Sequence, residues 1–149
     1  MLVVGKARGE LADAIHDYER RAARYWPLEL TEVRQEQSRS ADVDLVKQRE
    51  SARLMDQVPA GALLVACDER GRSLTSPDFA AFLIEQRDRA RNVAFAIGGA
   101  FGLHAELRNR AELTLALAPW TVAHDLARLI LAEQLYRAGT IARGEPYHK

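Results

Sequence analysis

The chain has 149 residues, 48% hydrophobic and 28% charged, the balance of a soluble globular domain with a core of its own. Its one cysteine, Cys67, excludes an intramolecular disulfide and a cysteine-based zinc cluster, and no run of about 18 apolar residues is present to span a membrane. A formal net charge of zero argues against gripping nucleic acid by bulk electrostatics alone.

Met1-Leu2-Val3-Val4-Gly5 is too short an apolar run for a secretion signal and reads as a first strand, so the cytoplasm is the expected compartment. Glu10–Arg24 puts Leu11, Ala14, Ile15 and Tyr18 on one face, the pattern of a helix. Leu28–Val33 alternates imperfectly as a strand, and the polar stretch from Gln35 to Ala41 reads as a loop. Asp42–Gln57 is a weaker helical pattern. Ala62–Cys67 is continuously apolar, as in a strand buried on both faces. Asp68-Glu69-Arg70-Gly71-Arg72 then reads as a solvated turn. Ser76-Pro77-Asp78 predicts a helix start, with Ser76 as N-cap and Pro77 at N1, running to about Arg91. Val93–Ile97 is another buried strand. Gly98-Gly99-Ala100-Phe101-Gly102 is a glycine turn before a short helix from about Leu103 to Asn109. Leu113–Leu117 is the last strand. Thr121–Ala138 is the last helix, with Gly139 as its expected stop. Arg20, Arg21 and Arg24 cluster near one end, with Arg34, Arg39, Lys47, Arg49 and Arg53 in the stretch after it, and both groups read as a solvated charged surface.

This alternation predicts a single α/β domain over 1–149, with a mainly parallel sheet flanked by helices. Ligands of such sheets sit at the carboxyl ends of the strands, which here are the loops after Cys67, Ile97 and Leu117. Gly98-Gly99-x-x-Gly102 fits a tight turn or a cofactor loop, but lacks the spacing of a dinucleotide fingerprint. No cluster of metal-ligand spacing is present, so no metal is expected. The last helix carries Val122, Leu126, Leu129, Ile130, Leu131 and Leu135 on more than one face, which suits a homodimer interface as well as a core. His124 in that helix fits a structural or a functional role. His148 lies in a polar aromatic tail with little structural reason for a histidine.

Certain segments together resemble a known family. They are Val4-Gly5-Lys6, Tyr18 with Arg20-Arg21, Leu28-Glu29-Leu30, Asp68 with Arg70-Gly71, Ser76 to Ala80, and Phe95 to Gly99 with Gly102. They continue with Thr121 and His124, Arg128, the run from Glu133 to Ala138, and Pro146-Tyr147-His148-Lys149. In this order they are similar to the rRNA large-subunit methyltransferase H family, of the SPOUT class. The resemblance implies an α/β fold with a C-terminal trefoil knot and an obligate homodimer. It implies S-adenosylmethionine as cofactor, and methylation at N3 of a pseudouridine in helix 69 of 23S rRNA within the assembled ribosome.

Position by position, the resemblance implies a cofactor pocket formed by Cys67, Asp68, Gly99, Ala118, Pro119, Trp120, Thr121, Val122 and Ala123. Ala118, Pro119 and Trp120 depart from the family's usual residues, so backbone contacts are expected to carry binding there. N3 of the base must lose a proton, for which histidine is suited. His148 is the expected base and His124 the runner-up. Tyr147 and Lys149 would place the base and phosphate, and Arg137 would hold the tail or the RNA. The tail is expected to cross to the partner's pocket. The alternatives are a non-catalytic ribosome-associated dimer and a nucleotide-binding α/β protein such as a dehydrogenase.

Overall fold

Five segments form one parallel sheet: β1 (Leu2–Val4), β2 (Thr31–Val33), β3 (Leu63–Ser73), β4 (Val93–Ile97) and β5 (Leu113–Ala116). The order across it is β2-β1-β4-β3-β5, and every neighbouring pair is parallel. The computed structural model describes residues 1–37 and 42–148. The end of the expected Gln35–Ala41 loop and Lys149 lie outside the described residues.

The helices are α1 (Ala12–Ala22), α2 (Val43–Met55), α3 (Ser76–Asp88), α4 (Ala105–Arg110) and α5 (His124–Ala142). Side chains alternate across each strand, so continuous apolar runs feed two cores. Val3, Val65, Phe95 and Ile97 pack with Ala22, Phe79, Leu83, Leu131 and Leu135, which places α1, α3 and α5 on one face. Leu2, Val4, Leu64, Ala66, Ala94 and Ala96 pack with Leu54, Leu103 and Leu107, which places α2 and α4 on the other.

Several boundaries differ from the sequence reading, each for a local reason. β2 begins only at Thr31, because its partner β1 offers just three residues to pair with. β3 does not end at Cys67. Both Cys67 and Arg72 pair with Leu115, so the segment between them bulges out of the ladder rather than ending the strand. A Cβ at Gly71 would stand 2.5 Å from the Thr114 carbonyl carbon, so the bulge closes only on glycine. Thr75, not Ser76, caps α3: its hydroxyl accepts from Asp78 N–H at 3.2 Å, and Pro77 falls one position later than expected.

α5 begins at His124 rather than Thr121, and it runs through Gly139 to Ala142. Gly139 is a contact point, not a stop. A Cβ there would meet Tyr25 Cγ at 2.3 Å, so the missing side chain makes room for the tyrosine ring. The left-handed residue that follows the helix is Gly144, at φ 67°. The start of α5 is pinned from below by Arg128, whose side chain is fully buried. Its guanidinium donates to Glu19 of α1 at 2.7 Å and to Glu32 of β2 at 2.8 Å.

Candidate cofactor pocket and the C-terminal tail

The carboxyl ends of β3, β4 and β5 and the first turn of α5 enclose a cavity of about 500 Å³. Cys67, Asp68, Gly99, Ala118, Trp120, Thr121, Val122 and Ala123 all line it. Of the expected cofactor residues, only Pro119 is absent from its walls. Ile97, Leu117 and Ala127 make its floor apolar. The glycine turn is built for close approach. Gly99 and Gly102 pair across it, Gly102 has φ 79°, and a Cβ at Gly98 would stand 2.6 Å from the Gly102 carbonyl carbon.

The polar groups around the cavity are unequally occupied. Burial pushes the Cys67 thiol up to about 12, so it is a neutral wall group rather than a nucleophile. Burial alone would raise Asp68. Hydrogen bonds from the Arg70 side chain (Nε at 2.9 Å) and backbone N–H outweigh it and hold the carboxyl below the usual range. Arg108 stands 3.5 Å away on the other side, so Asp68 is an answered charge. The Thr121 hydroxyl donates to Glu69, tying the β3 bulge to the β5–α5 loop. His124 lies at the very start of α5. Its Nε2 is 3.0 Å from Asp125 Oδ1, while Nδ1 is buried without a partner.

One polar residue behind the pocket was missed in the sequence. Glu50 of α2 is 2% exposed. Its Oε1 accepts the Glu36 backbone N–H at 2.9 Å, and Oε2 has no partner. A Cβ at Gly99 would lie 2.6 Å from that Oε2, so the carboxyl stands directly behind the glycine turn. Burial raises its pKa above the ordinary value. The signal was present: Val46, Glu50 and Leu54 recur every four residues, which puts an acid on the buried stripe of α2.

The tail is built elsewhere. The Tyr147 ring packs on Tyr136 with centroids 4.6 Å apart, and the Arg137 guanidinium lies over it at 4.7 Å. The Tyr147 hydroxyl donates to Glu133 at 3.1 Å. Burial first, then its hydrogen bond with Tyr18 and the Glu133 charge, push the phenol well up, so it stays neutral. Arg137 donates to Glu133 through Nε at 3.0 Å, and its Nη1 lies 3.5 Å from His148 Nδ1. His148 is exposed. None of Arg137, Tyr147 and His148 lines the cavity. Arg137 stands thirteen residues beyond His124 on α5, roughly 20 Å at helical rise. One chain therefore keeps its pocket and its histidine tail apart.

Comparison with known proteins decides the family. A family model described as a predicted SPOUT methyltransferase matches residues 1–148. The ribosomal RNA large subunit methyltransferase H of Gemmatimonas aurantiaca is 57% identical over 150 residues, covering 100% of this chain and 97% of the relative. The proteins of that name from Geobacter metallireducens and Syntrophotalea carbinolica are 47% and 39% identical, each covering 99% of this chain and 96% of the relative. The chain belongs to the SPOUT methyltransferase family. A solved probable methylase family protein from Haemophilus influenzae Rd KW20 has a TM-score of 0.55 at 14% identity, over 99% of this chain and 69% of that one, a likeness of fold.

SPOUT membership implies a trefoil knot in the C-terminal segment and a methyl donor of the S-adenosylmethionine type. The cavity suits such a group. Its volume is that of a small-molecule site, its floor is apolar, and glycine and loop backbone line one side. Among the described residues, no group of His, Cys, Asp and Glu could hold a metal ion, and no helix is long and apolar enough to cross a membrane.

Proposed function

We propose that this chain is a cytoplasmic enzyme that methylates N3 of a pseudouridine in helix 69 of 23S rRNA, on the assembled ribosome, as a homodimer. The observation that carries this reading is the distance between pocket and tail in a chain that matches the family from end to end. A two-fold dimer lets each tail serve the partner's pocket. Bound S-adenosylmethionine would supply an electrophilic methyl group on a sulfonium leaving group. Gly99, the backbone of Ala118 and of 120–123 and the apolar floor would hold it, and Asp68, already answered by Arg70, would shape one wall.

The protein's remaining work is alignment and one proton. His148 accepts the N3 proton in the partner's pocket, with Arg137 3.5 Å from its Nδ1 and the neutral Tyr147 anchoring the tail on Tyr136 and Glu133. His124 is the second candidate base, since it lines the pocket itself. Lys149 meets phosphate. The neutral net charge fits an enzyme that relies on the shape of the ribosome rather than on its own field.

The test is calorimetric titration of S-adenosylmethionine into the purified protein with its mass measured by light scattering. Methylation of ribosomes that lack the mark is then mapped by mass spectrometry. Saturable binding to a dimer and a new N3-methyl group support the reading. A folded dimer that binds no donor points to a ribosome-associated relic, and nicotinamide binding without donor binding points to a dehydrogenase. Retained turnover in His148→Ala would move the base to His124.

A further inference from the structure

Trp120 and Phe101 have the two most exposed large apolar side chains among the described residues, at 69% and 50%. They rise from different loops, Phe101 between β4 and α4 and Trp120 between β5 and α5, yet both border the same cavity. Neither packs against another ring, whereas Phe79 packs on Phe82 and Phe95, and Tyr136 on Tyr147. Two bare aromatic faces at the mouth of one pocket, held by loops tied at their bases, are an arrangement that stability alone does not explain.

The chemistry of the rim selects the occupant. Asp68 is answered by Arg70 and Arg108, and Glu69 by Thr121, so the mouth offers no net positive field for phosphate. It offers flat π surfaces, with Arg70 on the wall of the same cavity. Such surfaces take unstacked nucleobases, which is how single-stranded RNA is held where charge does not do it. The adenine of the donor fits the apolar floor of Ile97, Leu117 and Ala127 better than a side chain 69% in solvent. We infer that Trp120 and Phe101 form an open stacking platform that receives a nucleobase of the substrate RNA at the pocket mouth. This rests on the rRNA methyltransferase reading above. The side chain of Trp120 thus faces the RNA while its backbone borders the donor.

The experiment compares Trp120→Ala, Phe101→Ala and the conservative Trp120→Phe with the unaltered protein. Three quantities are read: affinity for purified unmethylated ribosomes, affinity for S-adenosylmethionine by calorimetry, and mass by light scattering. Each alanine variant is expected to weaken ribosome binding and raise KM for ribosomes about tenfold, while Trp120→Phe keeps most of the affinity. In Phe101→Ala, donor affinity and mass stay as they were. Donor affinity falling in step with ribosome affinity overturns the platform in favour of an adenine contact. A halved mass makes the rings an interface between copies, and unchanged ribosome affinity removes any role. If the unaltered protein binds the donor but not ribosomes, the substrate reading itself fails and the platform with it.

Discussion

A methyl group at Gly139 would sit 2.3 Å from Tyr25 Cγ and 2.4 Å from its Cβ, closer than packed carbons come. Alanine favours a helix over glycine by about 1 kcal/mol, yet here the steric cost dominates. Gly139→Ala is expected to destabilise the fold by roughly 1–3 kcal/mol in urea unfolding, with Tyr25 displaced from its hydrogen bond to Glu145. Glu50 carries the pH prediction. Its carboxyl is raised from 4.5 by burial, so the folded chain holds that proton more tightly than the unfolded one. The contribution is full below 4.5 and is lost as pH rises through the raised value. Glu50→Gln keeps an acceptor for the Glu36 N–H and cannot ionise. Urea unfolding at a series of pH values should show the variant level with the parent in acid and gaining on it towards neutrality. A constant difference at all pH values would mean that Glu50 does not titrate in this range.

At the scale of elements, the C-terminal tail is held less by its own backbone than by one side chain of α5. Glu133 accepts from both Arg137 and Tyr147, and through them it sets where His148 lies. Glu133→Ala should loosen the tail, seen as faster amide exchange over 145–148, with donor affinity unchanged. Turnover should fall about 10²-fold, the cost of misplacing a reacting group by an ångström. The two central strands and their burial on both faces were legible because Ala62–Cys67 and Val93–Ile97 are continuous apolar runs of six and five residues. The limits of α5 were not. Gly139 looks like a stop until Tyr25, far away in sequence, is found filling its space. The bulge from Asp68 to Gly71 looks like a turn, because only the pairing of Arg72 with Leu115 shows the strand resuming. The pocket was legible as a set of strand ends, whereas Glu50 was hidden by its charge in a helix read only for its apolar residues.

For the whole molecule, the question is whether one chain can complete a site. α5 spends Leu131 and Leu135 on the core and leaves Leu126 40% exposed, with Leu129 and Ile130 half-buried, so an apolar strip remains beside the pocket. A second copy covering that strip would bring a foreign tail to the cavity. Complementation tests this directly. His148→Ala removes the proposed base from the tail. Ala123→Trp, at an exposed wall position, fills the cavity without entering the core. Each variant alone should be inactive on ribosomes. Mixed and re-equilibrated at equal amounts, half of the dimers carry one of each chain. In those dimers, one of the two sites joins an intact pocket to an intact tail. Turnover should then return to roughly a quarter of the parent value. If pocket and tail of the same chain worked together, every site in the mixture would still lack one part, and no activity would return.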